Sequence, residues 1–257
     1  MVGIRHLNVS VIGPAHLLNG QHNQDATLIK PVARGWVAVV CDGLGSKPHA
    51  GLGSRLACKA VINIINQVDF TIGSKELITL IYQQWLNKLG CVKAKDAMTT
   101  CLFCWLSHDS QVRTFQLGDG LIITSKKSRE IIDTNDFGNE TTGLGKSKKF
   151  SDWKVTHQQL GKGDVIALMT DGISDDIKQG MEIEFVHVIS ERIKGKNIRR
   201  SKTWLKNELR SWATPKHTDD KSIALLVINK CEDGWCNVTT DNYTGWIKIK
   251  NVWGSTK

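Results

Sequence analysis

The sequence predicts an α+β protein built on antiparallel sheets, and three observations carry that prediction. Strand-like and helix-like segments arrive in blocks, not in strict β-α alternation, which argues against a parallel sheet with crossover helices. The strand-like runs are short, β-branched and closed by Asp-Gly or other turn residues. The length of 257 residues and the 40% hydrophobic content suffice for one large core, or at most two small ones.

Taken in order, a strand is expected just after Asp25, and Gly35–Cys41 (GWVAVVC) reads as a buried strand stopped by Asp42-Gly43. Residues 53–67 carry Leu56, Ala60 and Ile64 at helical spacing, and a second helix is expected over 75–89. Residues 99–106, Gln111–Leu117 and Leu121–Thr124 then read as strands joined by tight turns. The polar, glycine-containing stretch 125–149 has little periodicity and is expected to be a mobile excursion over the surface. Strand character returns at 153–158 and 164–170, helices are expected over Glu182–Ile193 and 202–212, and 223–228 is the last apolar strand. No repeat, low-complexity tract or linker divides residues 1–229, so they form one domain. Residues 230–257 are a tryptophan-bearing tail of different composition, expected to be a short appended hairpin with no assigned task.

Composition excludes several function classes. The seven cysteines are odd in number and scattered, as expected of reduced thiols packed as small hydrophobes. Cys101 and Cys104 have C-x-x-C spacing, but on a strand an odd separation sends them to opposite faces, and no second Cys/His pair completes a zinc site. The net charge of +9 comes partly from basic runs at 146–149 and 194–202. No aromatic residues interleave with these runs as a base-stacking platform requires, so no nucleic acid is expected. They are a solvated face or an attraction for an acidic or phosphorylated partner. No window offers the roughly 18 apolar residues that span a bilayer, and the first 13 residues lack the form of a signal peptide. A cytoplasmic, non-membrane protein is expected.

The chemistry lies in the aspartates. An apolar strand followed by Asp-Gly occurs three times, at Asp42-Gly43, Asp119-Gly120 and Asp171-Gly172, and Asp25 and Asp219-Asp220 each precede a strand. One Asp-Gly alone is a common turn dipeptide. Together, on strands apolar enough to be central, they predict carboxylates crowded at one end of packed sheets. Like charges that close repel one another unless a cation intervenes. Oxygen ligands alone select Mg²⁺ or Mn²⁺ before zinc. Glycine after aspartate lets the backbone come close to an ion, and two such ions about 3.5 to 4 Å apart can share and acidify one water. No H-E-x-x-H, G-x-S-x-G or G-x-x-x-x-G-K-[ST] motif competes, so no protein nucleophile is required.

These residues fall in a familiar order. Asn23-Gln24-Asp25, Asp42-Gly43-Leu44-Gly45, Thr99-Thr100, Gly118-Asp119-Gly120, Thr170-Asp171-Gly172-Ile173-Ser174-Asp175 and Asp219-Asp220-Lys221-Ser222 resemble, over residues 1 to about 229, the type 2C metal-dependent serine/threonine protein phosphatases, most of all their compact bacterial members. The resemblance implies a β-sandwich of two antiparallel sheets flanked by helices, with a metal site at one end. It implies Mn²⁺ or Mg²⁺, two per site, with a third possible, and catalysis by a hydroxide bridging them. Asp42 would bridge both ions, the Gly43 carbonyl would bind the second, Asp171 and Asp219 the first, and Asp25 the second through water. Asp42 and Asp171 are thereby the catalytic pair of the expectation, and Asp119 with Asp171 would take the third ion. The stretch 125–149 falls where the family carries its flap. The implied partner is a phosphorylated protein, the substrate of a cognate serine/threonine kinase, and the implied state a monomer in signalling.

The pattern also departs from the family. Gly20 stands where many members have a phosphate-gripping arginine, leaving His16, His22 and Arg34 as candidates. Leu44 stands where some eukaryotic members have an acidic histidine, and Asp220 competes with Asp219 as a ligand. Two other readings stay open: a non-catalytic member that binds or scaffolds phosphoproteins, and a hydrolase of small phosphoesters.

Overall fold

A computed structural model describes residues 3–125, 131–133, 142–147, 149–212, 218–229, 231–232, 235–239 and 244–248, with side chains left out at 131–133 and beyond 229. The strands are β1 (Gly3–Val11), β2 (Ala26–Val32), β3 (Gly35–Cys41), β4 (Cys101–Leu106), β5 (Gln111–Leu117), β6 (Leu121–Thr124), β7 (Ile131–Asp133), β8 (Lys154–Gln159), β9 (Val165–Met169), β10 (Lys221–Asn229), β11 (Cys231–Glu232), β12 (Trp235–Thr239) and β13 (Thr244–Lys248). The helices are α1 (Pro14–Leu18), α2 (Ala50–Ile65), α3 (Ser74–Leu89), α4 (Asp171–Ser174), α5 (Glu182–Ile193) and α6 (Ile198–Ser211).

Two antiparallel sheets face each other, one ordered β1-β10-β9-β6 and one β2-β3-β4-β5-β8-β7. Ala38, Val40, Leu102, Cys104, Ile166, Leu168, Ala224 and Leu226 fill the space between them. The outer face of the six-stranded sheet, with Val37, Val39, Phe103 and Trp105, is covered by Ala57, Val61, Leu77, Ile81 and Trp85 of α2 and α3. The outer face of the other sheet, with Leu7, Val9, Ala167 and Leu225, is covered by Val186, Ile189, Leu205 and Leu209 of α5 and α6. Inner strands are thus buried on both faces, which is why β3, β4 and β9 are continuous apolar runs without alternation. Cys101 packs with the helices and Cys104 between the sheets, as an odd spacing on a strand requires. Pro31 sits in β2, an edge strand where a missing N–H is tolerated.

Four elements depart from the sequence reading. The mixed N-terminus is a strand, β1, whose Leu7, Val9 and Val11 are buried while His6, Asn8 and Ser10 are less so, a period of two. Helix α6 begins four residues before the expected 202, because Asn197 caps it by accepting a hydrogen bond from the Arg200 amide at 2.8 Å. The expected surface excursion 125–149 lies largely outside the described residues, but its 142–147 part is anchored. Leu144 is buried and exchanges backbone hydrogen bonds with Thr99 in both directions. The tail strands β11-β12-β13 form a three-stranded antiparallel sheet instead of a single hairpin.

Candidate metal centre

One end of the sandwich collects the aspartates because of where each strand starts or stops. Asp42 follows β3 and Asp171 follows β9, Asp25 precedes β2, and Asp219 and Asp220 precede β10. Asp119 lies in the link from β5 of one sheet to β6 of the other. The positions of β3, β9 and β10 inside their sheets bring these ends together.

The three glycines after aspartate serve different ends. Gly120 has φ +98° and Gly118 φ +89°, so that pair makes the left-handed turn that carries the chain between sheets. At Gly43 a Cβ would lie 2.6 Å from the Ala50 backbone and 2.9 Å from the Gln24 carbonyl; at Gly172 it would lie 2.1 Å from the Asp220 carbonyl. Glycine is needed at those two positions for close packing and not for a turn.

The backbone around Asp42 is held by two threonines. The Asp42 amide donates to Thr100 Oγ1 at 2.9 Å, the Thr100 amide donates to the Asp42 carbonyl at 2.8 Å, and Thr99 Oγ1 donates to the same carbonyl at 2.7 Å. Thr170 Oγ1 donates to Asp25 Oδ2 at 3.0 Å and accepts from the Ser222 amide at 3.0 Å, locking β9 and β10 to the start of β2. Asp25 Oδ1 is buried and has no hydrogen-bond partner.

Burial is the dominant electrostatic fact, and charge repulsion adds to it. Burial pushes the Asp25 carboxyl up to about 7, a shift that the charge of Asp220 reinforces and a hydrogen bond with Asp42 restrains. Burial also drives Asp42 well above the ordinary carboxylate range, with the charges of Asp25, Asp171 and Asp219 adding to it. Asp171 is raised by burial and then by Asp219, with smaller effects of Asp175 and Asp119. Asp25, Asp171 and Asp219 thus raise Asp42, and Asp219 raises Asp171, as like charges this close do. The donor set is all oxygen and one buried oxygen lacks a partner, so the residues fit hard divalent cations.

Asp219 and Asp220 differ sharply. The Asp220 side chain is 1% exposed and accepts from the Gly13 amide at 2.7 Å and the Gln24 amide at 2.6 Å. His16 Nδ1 lies 3.0 Å from its Oδ2. The Asp219 side chain is 46% exposed and acts electrostatically on both Asp42 and Asp171. Donor atoms of His16, Asp219 and Asp220 lie within 4.8 Å of one another, but both Asp220 oxygens are already engaged by backbone amides.

The phosphate-gripping candidates separate by place. His16 stands beside Asp219, at 3.9 Å, and His22 lies on the neighbouring loop. Arg34 does not join them: it sits in the β2–β3 turn, at the far end of that hairpin, paired with Asp69 at 2.8 Å. Gly20 has φ +63°, a backbone region an arginine would adopt only under strain. Thr170 and Asp175 have no role in the sequence-based expectation. Both stand in the quoted motif around Asp171, where the signal for them was their spacing from that residue.

No curated protein matches the chain. Among solved structures, it resembles the photosystem II phosphatase PBCP at 13% identity and TM-score 0.64, covering 88% of this chain and 99% of that one. The S. agalactiae serine/threonine phosphatase matches at 14% identity and TM-score 0.63, with coverages of 88% and 100%. The catalytic domain of the serine/threonine phosphatase PstP, solved with two manganese ions, matches at 15% identity and TM-score 0.61, with coverages of 90% and 100%. Residues 223–254 match the family model of a bacterial SH3 domain, a range that begins inside β10 of the sandwich. Residues 12–210 match the model of protein phosphatase 2C, and with its two facing antiparallel sheets and its pole of aspartates the chain belongs to that family of metal-dependent serine/threonine protein phosphatases.

Proposed function

We propose that Asp42, Asp171, Asp219 and the Gly43 carbonyl hold two divalent cations, that Asp25 supports the second through water, and that Asp119 with Asp171 can take a third. The observation that carries this reading is the convergence of strand-end carboxylates, with Asp25, Asp42 and Asp171 raised by burial and by neighbouring charges, around a buried Asp25 oxygen without a hydrogen-bond partner. When bound, Mn²⁺ or Mg²⁺ supplies an acidified water as nucleophile and neutralises the phosphoryl oxygens of phosphoserine or phosphothreonine.

The chain's own part is positioning. Thr99 and Thr100 fix the backbone of Asp42, Thr170 orients Asp25, and the close packing of Gly43 and Gly172 keeps their neighbouring aspartates at the sheet ends. Asp220 supports from behind, since its oxygens tie β10 to the loops bearing Gly13 and Gln24. Of the phosphate-gripping candidates, His16 is the one beside the cluster. Leu44 offers no proton to the leaving group.

The same reading takes residues 1–229 as the catalytic domain, with a flap over 125–149 and the tail from 230 as a separate module. It places the protein in the cytoplasm as a monomer that reverses the work of a serine/threonine kinase in signalling. No helix among the described residues is long and apolar enough to cross a membrane. The test is turnover of p-nitrophenyl phosphate and of a phosphothreonine peptide by the purified full chain, with Mn²⁺ and with EDTA. Mn²⁺-dependent turnover is expected. A folded protein that binds Mn²⁺ and phosphopeptide without turnover would sink catalysis in favour of a scaffolding role.

A further inference from the structure

Next to the acidic cluster the molecule carries a feature of opposite sign. The loop leading into β2 and the loop leading from β3 into α2 border an open cavity of about 550 Å³. His22, Lys47, His49 and Arg55 line it together with Asn23 and Gln24, and no acidic residue does among the described residues. Lys47 is half-buried, the other three basic side chains are exposed, and none of the four forms an ion pair with a described residue. The sixteen-residue helix α2 starts at this cavity with no side-chain cap, so the positive end of its dipole adds to the basic side chains. Lys47 and Arg55, gathered without an ion-pair partner among the described residues, favour an anion.

Place and size say which anion. Gln24 precedes Asp25 and Gly45 follows Gly43 by two residues, so the cavity adjoins the metal centre on both of its loops. At roughly 30 Å³ per water-sized group, the cavity is several times larger than a five-atom phosphoryl group needs. It suits carboxylate side chains on an extended peptide, which advances about 3.3 Å per residue. Arg55 presents a planar fork that matches a carboxylate and Lys47 a compact point charge.

We propose that this cavity reads the substrate's sequence by binding aspartate or glutamate side chains a few residues from the phosphorylated residue. The inference rests on the phosphatase reading above and adds the substrate class. It explains how a chain with Gly20 in the arginine's usual place gains affinity for a phosphoprotein.

The experiment uses the full chain in Mn²⁺ and two matched phosphothreonine peptides, one with acidic and one with neutral flanks. Two partly exposed charge contacts predict about a tenfold preference in kcat/KM for the acidic peptide at low salt. Lys47→Ala with Arg55→Ala should bring that ratio close to one, and Lys47→Glu with Arg55→Glu should invert it. A wild type without the preference, or a double variant that lowers both peptides equally, overturns the proposal. If the wild type turned over neither peptide, the catalytic reading would fail, and binding of the unphosphorylated acidic peptide to the metal-free chain would decide for the cavity. Fluorescence anisotropy should then show that binding lost in the Lys47→Ala, Arg55→Ala variant; no binding by the wild type overturns the cavity's role.

Discussion

The two ends of the β2–β3 hairpin treat charge in opposite ways. At the turn, Arg34 pairs with Asp69 at 2.8 Å and donates to the Val68 carbonyl at 3.0 Å, with both side chains of the pair about half exposed. At the open end, just beyond the last paired residues Ala26 and Cys41, Asp25 and Asp42 stand together and both are driven toward protonation by burial. One end satisfies its charges in water, and the other gathers carboxylates of which Asp25 is buried. A fold selected only for stability would have no use for the second arrangement. On the proposed reading, the unfavourable energy stored there would be released by a cation bound among the carboxylates.

The largest break in this comparison comes from neutralising the central carboxylate. Asp42→Asn removes the proposed shared ligand and should lower Mn²⁺-dependent turnover by about three orders of magnitude, roughly 4 kcal/mol of barrier. The same change should stabilise the metal-free protein, because asparagine carries no charge to bury. Steady-state kinetics and urea unfolding in EDTA measure the two effects. A metal-free variant less stable than wild type would mean that Asp42 is a structural residue like Arg34.

Next in size is the pH dependence of the metal-free fold. Asp25 has a native pKa of about 7 against an ordinary value of 3.8. Between those values the folded protein keeps a proton that the unfolded chain has lost. Stability is therefore full below about pH 4 and is lost as pH rises through 7, by roughly 4 kcal/mol from this group. Urea midpoints in EDTA at pH 5, 6 and 7.5 should fall in that order, and Asp25→Asn should flatten the trend. Saturating Mn²⁺ should flatten it too, because the cation replaces the proton. Identical slopes for wild type and Asp25→Asn would remove Asp25 from the cluster.

A third test separates the adjacent aspartates. Asp220→Ala leaves the Gly13 and Gln24 amides without their acceptor in a buried setting and should cost about 3 kcal/mol of stability. Asp219→Ala, with a side chain 46% exposed, should cost far less stability and more Mn²⁺ affinity. Thermal melts together with calorimetric Mn²⁺ titrations read both, and a reversal would exchange the two roles.

Much of this contrast was legible in the sequence, for a physical reason. A strand buried on both faces must be a continuous apolar run, so GWVAVVC announced itself, and the aspartate ending it marked the pole. Three things stayed hidden. The division of labour between Asp219 and Asp220 depends on which carboxylate meets the Gly13 and Gln24 amides, contacts across about 200 residues of chain that no local pattern encodes. The basic cavity draws on two loops about 25 residues apart, neither of which forms a motif alone. Strand β1 was overlooked although its period of two was present, because Arg5 and His6 disguised an alternating strand as a mixed segment. Arg34 misled in the other direction, since nearness in sequence to Asp25 says nothing about which end of a hairpin a side chain occupies.

The smallest effect sharpens the comparison from the other end of the hairpin. Arg34→Ala removes an ion pair whose partners are half in water, where such pairs contribute about 0.5 kcal/mol or less. It also removes a hydrogen bond to the Val68 carbonyl, which water can replace. The melting temperature should move by no more than about 2 °C, given the 2 to 4 °C per kcal/mol expected for a domain of this size. Turnover should stay within twofold, because seven residues of paired strand separate Arg34 from the carboxylates. A large loss of kcat/KM on every substrate, without a shift in melting, would instead mean that Arg34 reaches the phosphate, and the two ends of the hairpin would no longer be distinct in function.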